Sequence, residues 1–454
     1  MLRAPGVDKC AILLPVLLLA GSALAADIVQ VYRDALAYDA QYVAARATAV
    51  AGREKQPQAL AGLLPTIGAT GNTFWNDSSY DVRLLDGNSN QLPPQHYRHI
   101  RYNSNAYSVS LTQPLFRWQN LVQYDQSKLL VMQTEATFAQ AGQDLILRVS
   151  QAYFDILVAI ENLRAVQANK TAIAQQLEQA KKNFEVGTAT ITDTYESQSR
   201  YDLATAQEIA AENELEVKRY ALRVLIGKDP GELNRLQPKA VMDPPQPATM
   251  EPWVEAAERD SFLVQAQEAA AEAAGKTVDI NRAGHYPTVD AVASYSANNA
   301  PGQFGLGEID TTTRQVGLQI NIPIFQGGAV NSRTREAIAR RDAERASLDN
   351  VRRTAALNAR QAYLGVVNGL AEVRALQAAL VSSLSSLESN RLGYEVGVRI
   401  NIDVLNAENQ VYVTRRDLAR ARYNTLQNQL RLKAAVGTLS EADLERINIL
   451  LEAP

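Results

Sequence analysis

The sequence predicts an α+β membrane protein that is internally duplicated, with four transmembrane strands per chain and long coiled-coil helices. Three observations carry this. Landmark residues recur at one fixed spacing, and four short segments alternate apolar and polar side chains. Two stretches, about 118–184 and 330–394, keep a helical apolar period without a single proline.

The duplication comes first because it organises the rest. Gln151-Ala152-Tyr153 recurs as Gln361-Ala362-Tyr363, FEVG at 184–187 as YEVG at 394–397, and Asp193 as Asp403. LRVLIG, ending at Gly227, recurs as LKAAVG, ending at Gly437, and all four pairs lie 210 residues apart. Pro114 with Pro323 and Pro65 with Pro287 drift from that spacing, so the first copy is longer between its prolines. A shared coiled-coil period explains repeated apolar positions but not repeated glycines and aspartates. The chain accordingly divides into a signal peptide (1–25), a first repeat (26–227), a Pro-rich equatorial linker (228–251), a second repeat (252–437) and a C-terminal tail (438–454).

The first segment reads as a secretory signal. Arg3 and Lys9 flank the apolar run AILLPVLLLAG, and Ala23-Leu24-Ala25 supplies a small-x-small cleavage site. Ser22 stands where a lipoprotein needs cysteine, and the one cysteine, Cys10, lies inside this segment. The mature chain is therefore expected to hold neither a disulfide framework nor a cysteine metal cluster. No later run reads as a transmembrane helix, so any membrane crossing is expected to use strands. A net charge of −4 offers no basic surface for nucleic acid.

Within each copy a helical stretch (about 28–62 and 252–284) leads to a proline and then to two alternating segments. These are the membrane strands, at about 65–75, 106–116, 287–296 and 314–325. In QVGLQINIPIF, Val316, Leu318, Ile320 and Ile322 face one way and Gln315, Gly317, Gln319 and Asn321 the other. Segments of this length cross a bilayer as tilted strands. Trp75, Phe74, Trp118 and Phe325 lie near strand ends, where an aromatic girdle belongs.

The proline-free stretches follow as helices of about 100 Å, by the rise per residue. Shorter helices, 193–226 and 403–436, come after them. One long helix matches two short ones laid end to end. The stretches 28–62 and 193–226 are thus expected to stack along 118–184 and meet at mid-height, with the linker wrapping that waist. Four strands cannot close a barrel, and an open sheet edge in lipid costs several kcal/mol per unpaired group, about the scale that forces closure. More than one copy must combine.

At the far end the chain reverses twice. Gly187 and Gly397 suit the left-handed conformation that ends a helix. Asn401 and Asp403, like Thr192 and Asp193, suit the start of the next helix. Asp403, Asn406 and Gln410 fall on one helix face, and in a ring of identical chains each becomes a ring of polar groups. Arg399 is placed to bond Asp193 or Asp403 bidentately.

The residues GYEVGVRINIDVLNAENQVY, DLARARYNTLQNQLRLKAAVGTLSEADL and NFEVGTATITDTYESQSRYD resemble the TolC family of outer-membrane channel-tunnels, and the likeness covers essentially the whole mature chain. The resemblance implies a homotrimer with a 12-stranded β-barrel in the outer membrane, continued by a periplasmic α-helical barrel. It implies export from the cell as the passive duct of a tripartite efflux pump or a type I secretion system. The implied partners are a periplasmic adaptor (membrane fusion) protein, an inner-membrane ABC or proton-driven transporter, and outer-membrane lipid. Tyr394, Arg399 and Asp193 match a constriction in that family, and Asp403 one member of an acidic pair that lines it. Asn406 departs from the other member, which weakens the cation block the resemblance implies.

No catalytic constellation, phosphate loop or metal site is expected, and no cofactor. His96 and His99 fall in a loop between the first two strands. The alternative is a periplasmic coiled-coil structural protein with no channel activity.

Overall fold

A computed structural model describes residues 26–82, 91, 93–238, 240–301 and 310–453. The signal segment expected over 1–25 lies outside the described residues. From Ala26 the chain forms α1 (Ile28–Tyr38), α2 (Ala40–Arg53) and α3 (Lys55–Ala61), then strands β1 (Thr66–Val82) and β2 (Gln95–Phe116). The long helix α4 (Trp118–Glu185), the shorter α5 (Ile191–Ile226) and a brief strand β3 (Arg235–Leu236) complete the first half. The second half runs α6 (Glu251–Asp260), α7 (Phe262–Arg282), β4 (Thr288–Asn299), β5 (Asp310–Asn321), the long α8 (Ala329–Glu395) and α9 (Asn401–Ala435). The tail adds α10 (Glu441–Ile449) and β6 (Leu451–Glu452), which pairs with β3.

Two boundaries differ from expectation for physical reasons. The stretch 28–62 is three helices rather than one, and 252–284 is two. Asp39 leaves the helical region and accepts a bond from the Tyr42 amide at 2.7 Å, which starts α2 afresh. Ser261 does the same for α7 through Val264. At β5 the strand ends at Asn321, short of the expected 325, because Pro323 has no N–H to give the ladder. β1 and β2 run longer than expected, and their pairing extends to Val82 and Gln95.

The four long strands form one antiparallel sheet in the order β1-β2-β4-β5, so β1 and β5 are its edges. The register sorts side chains cleanly. Ile67, Val109, Leu111, Ala293, Val316 and Leu318 share one face through the pairs Ile67↔Leu111, Leu111↔Ala293 and Ala291↔Leu318. Thr70, Ser108, Ser110, Ser294 and Gln319 share the other. Trp75 lies on the apolar face, whereas Phe74, its neighbour in the strand, lies on the polar face opposite Ser104. Phe74 therefore cannot join an outward aromatic girdle. β2 pairs with β4 only as far as Asn105↔Asn299, so its segment from Gln95 to Ser104 rises beyond the sheet with β1 as a two-stranded ribbon.

The helices lie side by side beneath the sheet. In the half nearest it, α7 packs between α4 and α8, and α1, α2 and α3 line the other side of α4. In the far half α9 packs between α8 and α4, and α5 takes the outer side of α4. The free edges are thus α8 on one side and α1–α3 with α5 on the other, directly below β5 and β1. An 18-residue stretch of α8 has mean hydropathy 1.3, enough by length and composition to cross a membrane, contrary to the sequence expectation, yet only 11% of it is buried. Its place on a free edge gives the reason: Leu364 and Val381 stand exposed there.

The waist holds the main core, where Ile28, Leu145, Val149, Leu222, Leu426 and Leu444 are buried together. The repeated landmarks act here. Tyr153 is fully buried and its hydroxyl reaches the Asn234 carbonyl at 2.8 Å, while Tyr363 donates to the Ala248 carbonyl; each tyrosine of the repeated Gln-Ala-Tyr thus pins part of the linker. The repeated glycines mark close approaches. A Cβ on Gly227 would lie 2.5 Å from the Tyr38 ring, and one on Gly437 2.6 Å from the Asp260 carbonyl oxygen. Each glycine ends its helix against the break in the helices stacked on it.

Candidate functional site at the helical tip

The two reversals at the far end have one geometry. Gly187 and Gly397 both have φ of +78°. The Thr188 amide bonds the Asn183 carbonyl at 2.8 Å and the Val398 amide bonds the Gly393 carbonyl at 2.9 Å. Gly187 N–H reaches Phe184 and Gly397 N–H reaches Tyr394. These paired bonds satisfy the last carbonyls of α4 and α8, and a left-handed residue is what closes them.

The starts of the following helices differ. Thr190 caps α5 and forms a reciprocal box with Asp193, whose carboxylate accepts from the Thr190 amide at 3.0 Å and hydroxyl at 2.8 Å. In α9 the equivalent cap position is Ile400, which makes no side-chain cap bond. Asn401 is therefore not a cap, contrary to the sequence expectation. It is 3% exposed, accepts from Gln176 of α4 at 2.7 Å and donates to Ser197 of α5 at 2.8 Å. One buried amide thus ties three helices.

The remaining candidates sort as follows. Arg399 lies 3.6 Å from Asp403 across one helical turn, a single contact rather than a bidentate one. Its stem folds over Gly393, where an added Cβ would meet Arg399 Cγ at 2.7 Å. Asp193 is occupied by its cap, and within the chain Arg399 pairs with Asp403 instead. The Tyr394 hydroxyl accepts from the Asn183 amide at 3.3 Å, which joins the end of α8 to the end of α4. Asn406 is exposed and accepts from Arg200 of α5 at 3.3 Å.

Sequence reasoning missed Gln176, Ser197, Asn183 and the buried Glu408, which Arg391 of α8 holds at 2.7 Å. A polar residue at a core-facing position of an amphipathic helix is the signal that would have found Gln176 and Glu408. Further up, Lys170 and Glu208 pair at 2.6 Å, which holds the carboxyl below its ordinary range and the ammonium above it. The turns themselves carry exposed apolar side chains: Val186, Val396, Val398 and Ile400 are each more than half exposed.

Chemically, the tip offers carboxylates, amides and guanidinium groups around a reversal, with hydrogen bonds that link the two hairpins of one chain. Such a set can filter ions and hold or release a constriction. Known proteins are similar to this chain over most of its length. The family described as "Outer membrane efflux protein" matches residues 31–228 and 253–438. Outer membrane protein TolC of Escherichia coli (strain K12) is 34% identical over 446 residues, 95% of this chain and 86% of that protein. The proteases secretion protein PrtF of Dickeya chrysanthemi is 31% identical, over 94% of this chain and 91% of its own. Among solved structures, the Campylobacter jejuni CmeC outer membrane channel superposes with a TM-score of 0.76 at 15% identity, over 93% of this chain and 89% of that one. VceC of Vibrio cholerae superposes at 0.74 and 18% identity, over 90% and 96%. The chain belongs to the outer membrane efflux protein family, the TolC-type channels that lie in the outer membrane and extend into the periplasm.

Proposed function

We propose that this protein is the passive outer-membrane duct of a tripartite export machine, built as a homotrimer and gated at its periplasmic tip. The observation that carries the assembly is the pair of free edges. β1 and β5 are unpaired at opposite sides of the sheet, and the exposed edges of the helical layer lie beneath them. An unpaired edge in lipid is costly, so each β5 meets the β1 of the next copy, head to tail, until a ring closes. Three copies give the twelve strands that the resemblance implies and leave room for a pore.

The gate is assigned to Asp193, Tyr394, Arg399, Asp403 and Asn406, with Gly187 and Gly397 as the turns that present them. Four bonds support it: Gln176–Asn401, Asn401–Ser197, Asn183–Tyr394 and Arg200–Asn406 each join an α4/α5 residue to α8 or α9. They hold α8/α9 against α4/α5, and loosening them frees one hairpin to move. The exposed Val186, Val396, Val398 and Ile400 give a periplasmic adaptor an apolar foothold. Transport energy comes from an inner-membrane ABC or proton-driven transporter, in keeping with a sequence that offers no Gly-rich phosphate loop after a strand. Cargo is exported through the lumen, in the manner of efflux or type I secretion.

The test is electrical and hydrodynamic. Purified protein from detergent-extracted outer membrane is expected as heat-modifiable trimers that conduct in planar bilayers. A monomer without conductance would overturn the duct.

A further inference from the structure

The apolar face of the sheet ends in arginines. On β5 the outward series Ile320, Leu318, Val316 is followed by Arg314, and on β1 the series beginning at Ile67 ends with Trp75 and Asp77. Asp77 pairs with Arg101 of β2 on the same face. Arg314 lies over the ring of Tyr295, its cross-strand partner, at 5.7 Å, and Arg101 lies over Trp75 at 5.9 Å.

Position decides what these groups meet. The helices leave the sheet at the Phe116 and Asn321 ends, so Arg314 and Arg101 stand toward the opposite, extracellular side. From Ile320 to Arg314 the strand rises about 20 Å, and Ile322 continues the apolar series below it in the sequence. An outward apolar band is about 25 Å tall, and an arginine within it is costly in a way that fades toward the interface. Arg314 therefore sits at the outer headgroup level. Arg101 is already matched by Asp77 at 3.1 Å, whereas no ion pair is present for Arg314 among the described residues. The tyrosine ring supports a guanidinium that is otherwise exposed, and an exposed N–H fork suits a phosphate.

We propose that Arg314, steadied by Tyr295, binds the phosphate of an anionic glycolipid headgroup in the outer leaflet. The proposal rests on the lipid-facing assignment of this sheet face, and the experiment separates the two. Wild-type trimers in detergent are titrated with bis-phosphorylated lipid A and, separately, with the same lipid A after dephosphorylation, and bound lipid is counted by native mass spectrometry. Preferential retention of the phosphorylated form is the expected result, with Arg314→Gln weakening it roughly fivefold, the scale of one cationic side chain at an anionic surface. Arg314→Lys should retain most of the preference. Equal retention of both lipids by the wild type would overturn the proposal alone, and needs no variant to fold. Retention of neither would overturn the lipid-facing assignment and the proposal with it. Arg314→Gln trimers that keep the full preference would also overturn it.

Discussion

Asn401→Ala is the substitution that addresses the tip most directly. The native amide bonds Gln176 at 2.7 Å and Ser197 at 2.8 Å, and all three residues are buried. Truncation leaves the Gln176 amide and the Ser197 hydroxyl without their partner. Each buried group so stranded costs about 1–3 kcal/mol. Water entering from the solvated turn recovers part of this, which leaves about 2 kcal/mol against the packed arrangement, or roughly a thirtyfold shift toward the released one. Single-channel recording in planar bilayers reads that shift as longer open dwell times and larger mean conductance. Gln176→Ala should act similarly, and the double variant should add little to either single change because one network is being broken. Intact trimers whose conductance and dwell times match the wild type would refute the role of this network in holding the tip.

Other outcomes follow from the same geometry. Arg399→Ala removes an exposed contact at 3.6 Å, so it should enlarge conductance only slightly, by less than about 1 kcal/mol of gating energy, and the effect should vanish in high salt. Asn406→Asp should strengthen cation selectivity, measured as the reversal potential across a salt gradient. The neighbouring Arg200, at 3.3 Å, should blunt that gain, and adding Arg200→Gln should restore it. Asp39 is buried against Arg148 with two bonds of 2.8 and 2.9 Å, and the guanidinium holds its carboxyl below the usual carboxylate range. A depressed folded pKa contributes stability above the unfolded value that is lost as pH falls through the folded one. Asp39→Asn should therefore lower the trimer's melting temperature at neutral pH, by about 3 kcal/mol of stability, and flatten its acid limb. An unchanged melting curve at both pH extremes would speak against this pair as a waist anchor.

The parts of the fold that were legible share a cause. Period-two alternation in 315–321 and the absence of proline through 118–184 are local, and both segments formed as expected. The repeated Gly187 and Gly397 specify a backbone angle, which is also local. What escaped the sequence depends on partners distant along the chain. Asp39 looks like any helix residue until Arg148 and the Tyr42 amide are placed beside it. Asn401 has the composition of a cap and the surroundings of a core bridge, because Gln176 and Ser197 arrive from two other helices. Of the two partners the sequence offers Arg399, Asp403 is the one it meets within the chain, because the capping box claims Asp193.

The unpaired edges of β1 and β5 also set how the protein tolerates damage. In the proposed trimer each copy supplies one flank of two different seams, so no copy is autonomous and none is spare. A chain with a broken β1 still offers a sound β5 to a neighbour. A defective subunit made alongside normal ones therefore spoils every ring it enters, and such an allele behaves as dominant in a cell that carries both.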